Sequence, residues 1–161
     1  MSQHRVVILK ETNSDRLLPI WIGPYEADAI TSELQEDTPS RPMTHDLLKS
    51  TIYELGARVV HVYISELRND VYYARIVVAL ENDEQIEIDS RSSDAIALAV
   101  RANVPIFVAQ SVLDKAAIRP DEDVQDKIEE EEEANVDEGK LSAFADFVNS
   151  LDLDLDEDDD K

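Results

Sequence analysis

Three stretches of this chain gather residue types that handle phosphate, protons or metal ions. The first, Arg41-Pro42-Met43-Thr44-His45-Asp46, holds a cation, a hydroxyl, an imidazole and a carboxylate. Thr44 is placed to cap a helix, so the free N–H groups of the helix's first turn would lie beside Arg41 and His45. Such a junction suits an anion: Arg41 and the amides would hold a phosphate, and His45 would serve as general acid or base. The ordinary use of the same residues is that Thr44 and Asp46 cap the helix and His45 packs locally.

The second stretch surrounds residue 90. Glu87 and Asp89 share one face of an expected strand, and Arg91, Ser92, Ser93 and Asp94 open the next helix. Two or three carboxylates could meet there. A hard divalent cation such as Mg²⁺ or Mn²⁺ takes few carboxylates and keeps several waters, and it can activate water and neutralise a phosphodiester. The competing reading has Asp94 complementing the helix dipole and Arg91 pairing with a surface carboxylate. The third candidate is Glu26, with Asp28, on the early polar face of the first helix, where solvated carboxylates are expected anyway.

Several chemistries are missing. The chain has no cysteine, which removes disulfides, thiolate metal sites and a cysteine nucleophile, and fits a reducing compartment. There is no glycine-rich phosphate loop, nucleophile elbow or HExxH pair, and three glycines leave little scope for backbone cradles. His4 and His61 stand alone. His61 reads as a half-buried sheet residue, and Trp21 with Tyr25 as packing between strand two and helix one.

The elements that must position these residues follow from periodicity. Arg5 to Lys10 and Arg16 to Ile22 form a hairpin around the turn cluster Asn13-Ser14-Asp15. Gly23-Pro24 ends the strand and starts helix one, with Ala27, Ile30 and Leu34 on one face, running to about Glu36. Helix two starts at Thr44, carries the stripe Leu48, Ile52 and Leu55, and stops at Gly56. From Ala57 the period becomes two. Asn69-Asp70 and Asn82-Asp83 divide three strands into an antiparallel meander. Ser92 or Ser93 caps helix three, which Asn103 and Pro105 end before the apolar run Ile106 to Val108. The fold class expected is α+β, an antiparallel or mixed sheet with a central three-strand meander packed by about three helices.

The 161 residues carry a formal charge of −22 and 43% hydrophobic residues. Residues 1–113 hold 17 acids and 10 bases, net −7, and residues 114–161 hold 20 acids and 5 bases, net −15. One domain over 1–113 followed by an acidic, largely disordered tail over 114–161 is therefore expected. Within the tail, Leu141, Phe144, Phe147, Val148 and Leu151 fall at helical spacing, so a short amphipathic helix is expected at 140–151. The start lacks a signal-peptide core and no run approaches the roughly 18 apolar residues of a membrane span, which points to the cytoplasm and no membrane.

The ordered run LPIWIGPYEADAI, RPMTHDLL, ELGARV, YYARIVV, EIDSRSSDAIALAVR and VPIFVA resembles the bifunctional nuclease family, once classed as a conserved domain of unknown function. The resemblance covers about residues 5–113 in unbroken order. Beyond it, KLSAFADFVNSL resembles the C-terminal extension of bacterial members, whereas the pentaglutamate run is no part of that pattern. The family name implies hydrolysis of RNA and DNA, an activity attributed to plant members. Positions matching its motifs are Glu26, Arg41, Thr44, His45, Asp46, Asp89, Arg91, Ser93 and Asp94.

The expectation is a nuclease assisted by a divalent metal. Asp89 and Asp94 would hold Mg²⁺ or Mn²⁺, Arg41 and Arg91 would contact phosphate with Thr44 and Ser93 beside them, and His45 would move the proton, with Asp46 and Glu26 as further carboxylates. This requires His45 to lie near Asp89 and Asp94. A net charge of −7 opposes nucleic-acid binding, unless a patch of Arg41, Arg91 and Arg101 or a bound metal overrides it, or the tail blocks the site until displaced. The alternative is a non-catalytic binding or assembly module that self-associates, most simply as a dimer, or recruits a partner through the 141–151 helix.

Overall fold

The structure is a computed structural model describing residues 5–36 and 39–119. His4, the pentaglutamate run and the amphipathic segment at 140–151 lie outside these residues.

The first hairpin forms as its turn chemistry dictates. β1 (Arg5–Lys10) pairs antiparallel with β2 (Leu17–Ile22), from Arg5 opposite Ile22 to Lys10 opposite Leu17. Arg16 Nε donates to Glu11 at 2.7 Å and the Ser14 hydroxyl donates to the same carboxylate, closing the turn. Arg16 and Ser14 together hold the Glu11 carboxyl down at about 2. Leu18, Ile20 and Ile22 alternate inward and are buried.

Gly23-Pro24 then starts α1 (Pro24–Leu34), and α2 follows (Thr44–Glu54). α1 ends two residues short of the expected Glu36, which has turned into the left-handed region at φ 55°. The meander is as the period of two required. β3 (Arg58–Arg68), β4 (Val71–Ala79) and β5 (Gln85–Arg91) pair antiparallel in sequence order. Asn69 and Asp70 both take positive φ, 51° and 60°, the tight hairpin geometry that asparagine and aspartate tolerate. α3 (Ser92–Ala102) leads to β6 (Ile106–Val108), which lies parallel to β3 and makes a mixed sheet of order β5-β4-β3-β6.

The fold does not stop at residue 113. α4 (Gln110–Ala116) buries Val112, and Ile118 bridges back to Leu17, exchanging backbone hydrogen bonds of 2.8 Å in both directions. No described helix is long and apolar enough to cross a membrane.

α3 organises the interior. It packs against β3 and β4 on one side and against α1 and α2 on the other. A helix enclosed this way needs small residues, and Ala95, Ala97 and Ala99 are buried together with Ile96 and Leu98. α2 departs from its expected stripe: only Ile52 packs on the core, Leu48 is 38% exposed and Leu55 78%. Polar contacts hold it to α3 instead, including Lys49 Nζ donating to the Arg101 carbonyl at 2.5 Å. No residue of α2 is buried.

Candidate active site at three helix starts

Three helices begin close together, and each supplies at least one charged or titratable residue from its first turn. Gly23 ends β2, and Glu26 follows in α1 with its carboxylate folded over the glycine: a Cβ at Gly23 would lie 2.3 Å from Glu26 Oε2. Any side chain at residue 23 must therefore push that carboxylate aside. Arg91, at the end of β5, precedes the first turn of α3, which carries Asp94. His45 lies in the first turn of α2.

Arg91 joins two of these starts. Its Nε and Nη2 donate to the two oxygens of Asp94 at 2.6 and 3.0 Å, and its Nη1 donates to Glu26 Oε1 at 3.0 Å. The two-pronged pairing fixes the guanidinium plane, although 66% of the Arg91 side chain is exposed. His45 completes the chain, its Nε2 3.3 Å from Asp94 Oδ1 with only 12% of its side chain exposed. Arg91 holds the Asp94 carboxyl below its ordinary range, against burial, and His45 adds to the effect. Asp94 in turn raises Arg91, so this cation stays charged.

A second pair sits beneath the first. Burial acts to raise Asp46, but the Met43 N–H and the Arg101 guanidinium outweigh it and hold the carboxyl low. Asp46 Oδ2 accepts from the Met43 N–H at 2.7 Å, and Oδ1 accepts from Arg101 Nε at 2.7 Å. Asp46 thus does the capping expected of Thr44, which is instead the first helical residue, with Met43 at the cap. Arg101 is 4% exposed and spends its other nitrogens on the carbonyls of Ala97 and Ala29, at 2.9 and 2.8 Å. The expected cationic patch of Arg41, Arg91 and Arg101 therefore does not form: Arg101 is inside, binding all three helices together, and Arg91 is already neutralised.

The other expected site residues take no part in this hydrogen-bonded chain. Asp89 is on β5, 71% exposed and paired with Arg75 at 3.4 Å, and among the described residues no hydrogen bond or ion pair joins it to His45 or Asp94. Arg41 is exposed in the segment before α2, and Thr44 is exposed at the helix start. Ser93 is 6% exposed and presents little surface to a ligand. A hollow of about 500 Å³ between β1, β6 and α4 is lined by none of the cluster residues.

Among the described residues no group of three or more histidines and carboxylates could hold a divalent metal. Both oxygens of Asp94 accept from Arg91, Glu26 shares the same cation, and Asp89 faces Arg75. Each carboxylate already has a cation, so no step below passes through a metal.

The lowered carboxyls make a pH prediction. Asp94 and Asp46 are depressed below 3.8 and Glu11 from 4.5 to about 2, so the stability they add is fully present above about pH 4.5 and is lost as pH falls toward 2. Thermal melting should therefore show Tm level down to about pH 5 and falling below it. In Asp94→Asn the fall should be shallower, and an equally steep fall there would contradict the assignment.

Residues 7–121 match the family described as the bifunctional nuclease domain. An uncharacterized protein of Mycobacterium tuberculosis is 38% identical over 146 residues, 91% of this chain and 84% of that protein. Bifunctional nuclease 1 of Oryza sativa subsp. japonica is 33% identical over 111 residues, and bifunctional nuclease 2 of Arabidopsis thaliana 28% over 108. The matches to these plant proteins cover 68% and 65% of this chain but only 34% and 33% of theirs. With a family match spanning most of its length, the chain belongs to the bifunctional nuclease domain family.

Proposed function

We propose that this protein is a nuclease that hydrolyses phosphodiester bonds of RNA and DNA, with His45 as its proton carrier. The observation that carries the proposal is the approach of His45 Nε2 to Asp94 Oδ1, 3.3 Å, from two helices 49 residues apart in sequence. With one ring nitrogen on Asp94 the imidazole has a fixed orientation, and the other nitrogen can exchange a proton with the substrate.

Water attacks phosphorus, the phosphorus–oxygen bond to the leaving sugar breaks, and His45 moves the proton between them. Arg91 is the cation for the developing phosphate charge, because its exposed guanidinium can exchange Glu26 for a phosphate oxygen without leaving Asp94. Arg41 and Thr44, exposed around the start of α2, would add contacts to the phosphate, and Asp46 with Arg101 holds α2 in place. The names of the plant relatives support this chemistry.

A second reading has its own support. Every carboxylate of the cluster is matched by an arginine, as in a purely structural network, and Tyr25, Leu34, Tyr53 and Leu55 are more than 60% exposed. Those features suit an assembly module that forms symmetric pairs. Incubation of labelled RNA and DNA with the purified chain separates the two, with parallel samples in Mg²⁺, Mn²⁺ and EDTA. Cleavage is expected from the nuclease, and its persistence in EDTA matches the donor set described above. No cleavage in any sample leaves the assembly reading.

A further inference from the structure

The four-stranded sheet has two faces, and the main core cluster lies on one. Val62, Ile64, Ala74, Ile76 and Val78 point to α3 and are buried. The opposite face buries Val77 but also carries an aromatic and charged row. Phe107 on β6 is level with Tyr63 on β3, Tyr63 is level with Arg75 on β4, and Arg75 is level with Asp89 on β5. Phe107 is 52% exposed and Tyr63 37%, whereas rings of this size usually contribute to a core. His61 meets Phe107 edge-on, with centroids 5.2 Å apart and planes at 83°, so the phenylalanine ring is held in a set orientation. Nearer the end of the sheet, the Arg68 guanidinium covers Tyr73 at 4.6 Å, and Tyr73 is level with Arg91, the arginine of the cluster.

We propose that this open sheet face binds single-stranded nucleic acid by stacking unpaired bases on Phe107 and Tyr63 and leads the strand to Arg91. The proposal deepens the nuclease reading, because it supplies the substrate-binding surface of that same site. Rings on adjacent strands stand about 4.8 Å apart, a spacing open to successive bases. Guanidinium planes beside rings offer a second stacking surface and a charge for the intervening phosphates, which matches a nucleic acid in particular. Stacking also answers the charge problem: residues 1–113 are net −7, so recognition must work at contact range and not by long-range attraction. A duplex, whose bases are already stacked, gains nothing from the rings.

The test is fluorescence anisotropy of the full chain with labelled, cleavage-resistant phosphorothioate single strands of RNA and DNA about twelve nucleotides long and with the matching duplex. Phe107→Leu and Tyr63→Leu remove a π face and keep the apolar volume, Arg75→Gln probes the same row from an exposed position, and Tyr53→Leu on α2 is the control. Single strands should bind better than duplex, and each ring substitution should weaken them about tenfold. The control should bind like the wild type. Equal binding by wild type and ring variants, a preference for duplex, or no binding by the wild type overturns the proposal. A wild-type dimer that becomes monomeric in Phe107→Leu also overturns it, since the face then takes a second copy. Strands that resist cleavage separate binding from turnover, so a chain that binds them here but never cuts ordinary strands refutes the nuclease reading alone.

Discussion

Replacing Arg101 with methionine is expected to destabilise the domain by about 3–5 kcal/mol, the usual consequence of removing one partner of a buried ion pair. Arg101 is 4% exposed and makes three hydrogen bonds, to Asp46, Ala97 and Ala29. Its loss strands a part-buried carboxylate and two carbonyls at the contact of α1, α2 and α3. A shift of about 4–8 °C for each kcal/mol puts the fall in Tm at roughly 15 °C or more. Asp46→Leu in the same background should recover part of that fall, because the stranded charge is gone. Differential scanning calorimetry of the two variants measures both effects, and a single-variant shift of only a few degrees would show that Arg101 is not the joint described.

His45→Gln is expected to reduce strand cleavage by about 10²- to 10⁴-fold, the range for loss of a positioned acid or base. Glutamine keeps a polar group near Asp94 but cannot carry the proton. Tm should change little, since His45 contributes one 3.3 Å contact at the periphery and α2 remains anchored by Asp46 and Lys49. Asp94→Asn should be less damaging to turnover than His45→Gln if it only orients the ring. A loss of cleavage in step with a loss of folded protein would assign His45 to structure.

The local elements were legible because their causes are local. Asn69-Asp70 and the alternation around it specify a hairpin, and the spacing of Ile96, Ala99 and Val100 specifies a helix face. The joining of helix starts was only partly legible. His45 and Asp94 are 49 residues apart and Arg91 and Glu26 are 65, and nothing in either segment encodes the pairing except that both have charge in a first helical turn. Asp89 illustrates the limit. Strand alternation put it on a face with Glu87, but only the register with β4 reveals that Arg75 stands beside it. Arg101 was misread for the same reason: a basic residue in the last turn of a helix is usually solvated there, and its buried partners come from segments 55 and 72 residues away. The signal available was the alanine-rich surround of α3, which leaves no room for a solvated side chain on most of its circumference.

Cleavage of one labelled RNA oligonucleotide by wild type, His45→Gln and Asp89→Ala, purified side by side from a host lacking its own ribonucleases, probes the proton carrier most directly. The predicted gel shows wild type and Asp89→Ala cutting at similar rates and His45→Gln nearly silent. Equal cutting by all three, or an Asp89→Ala variant as inactive as His45→Gln, would contradict the site as drawn.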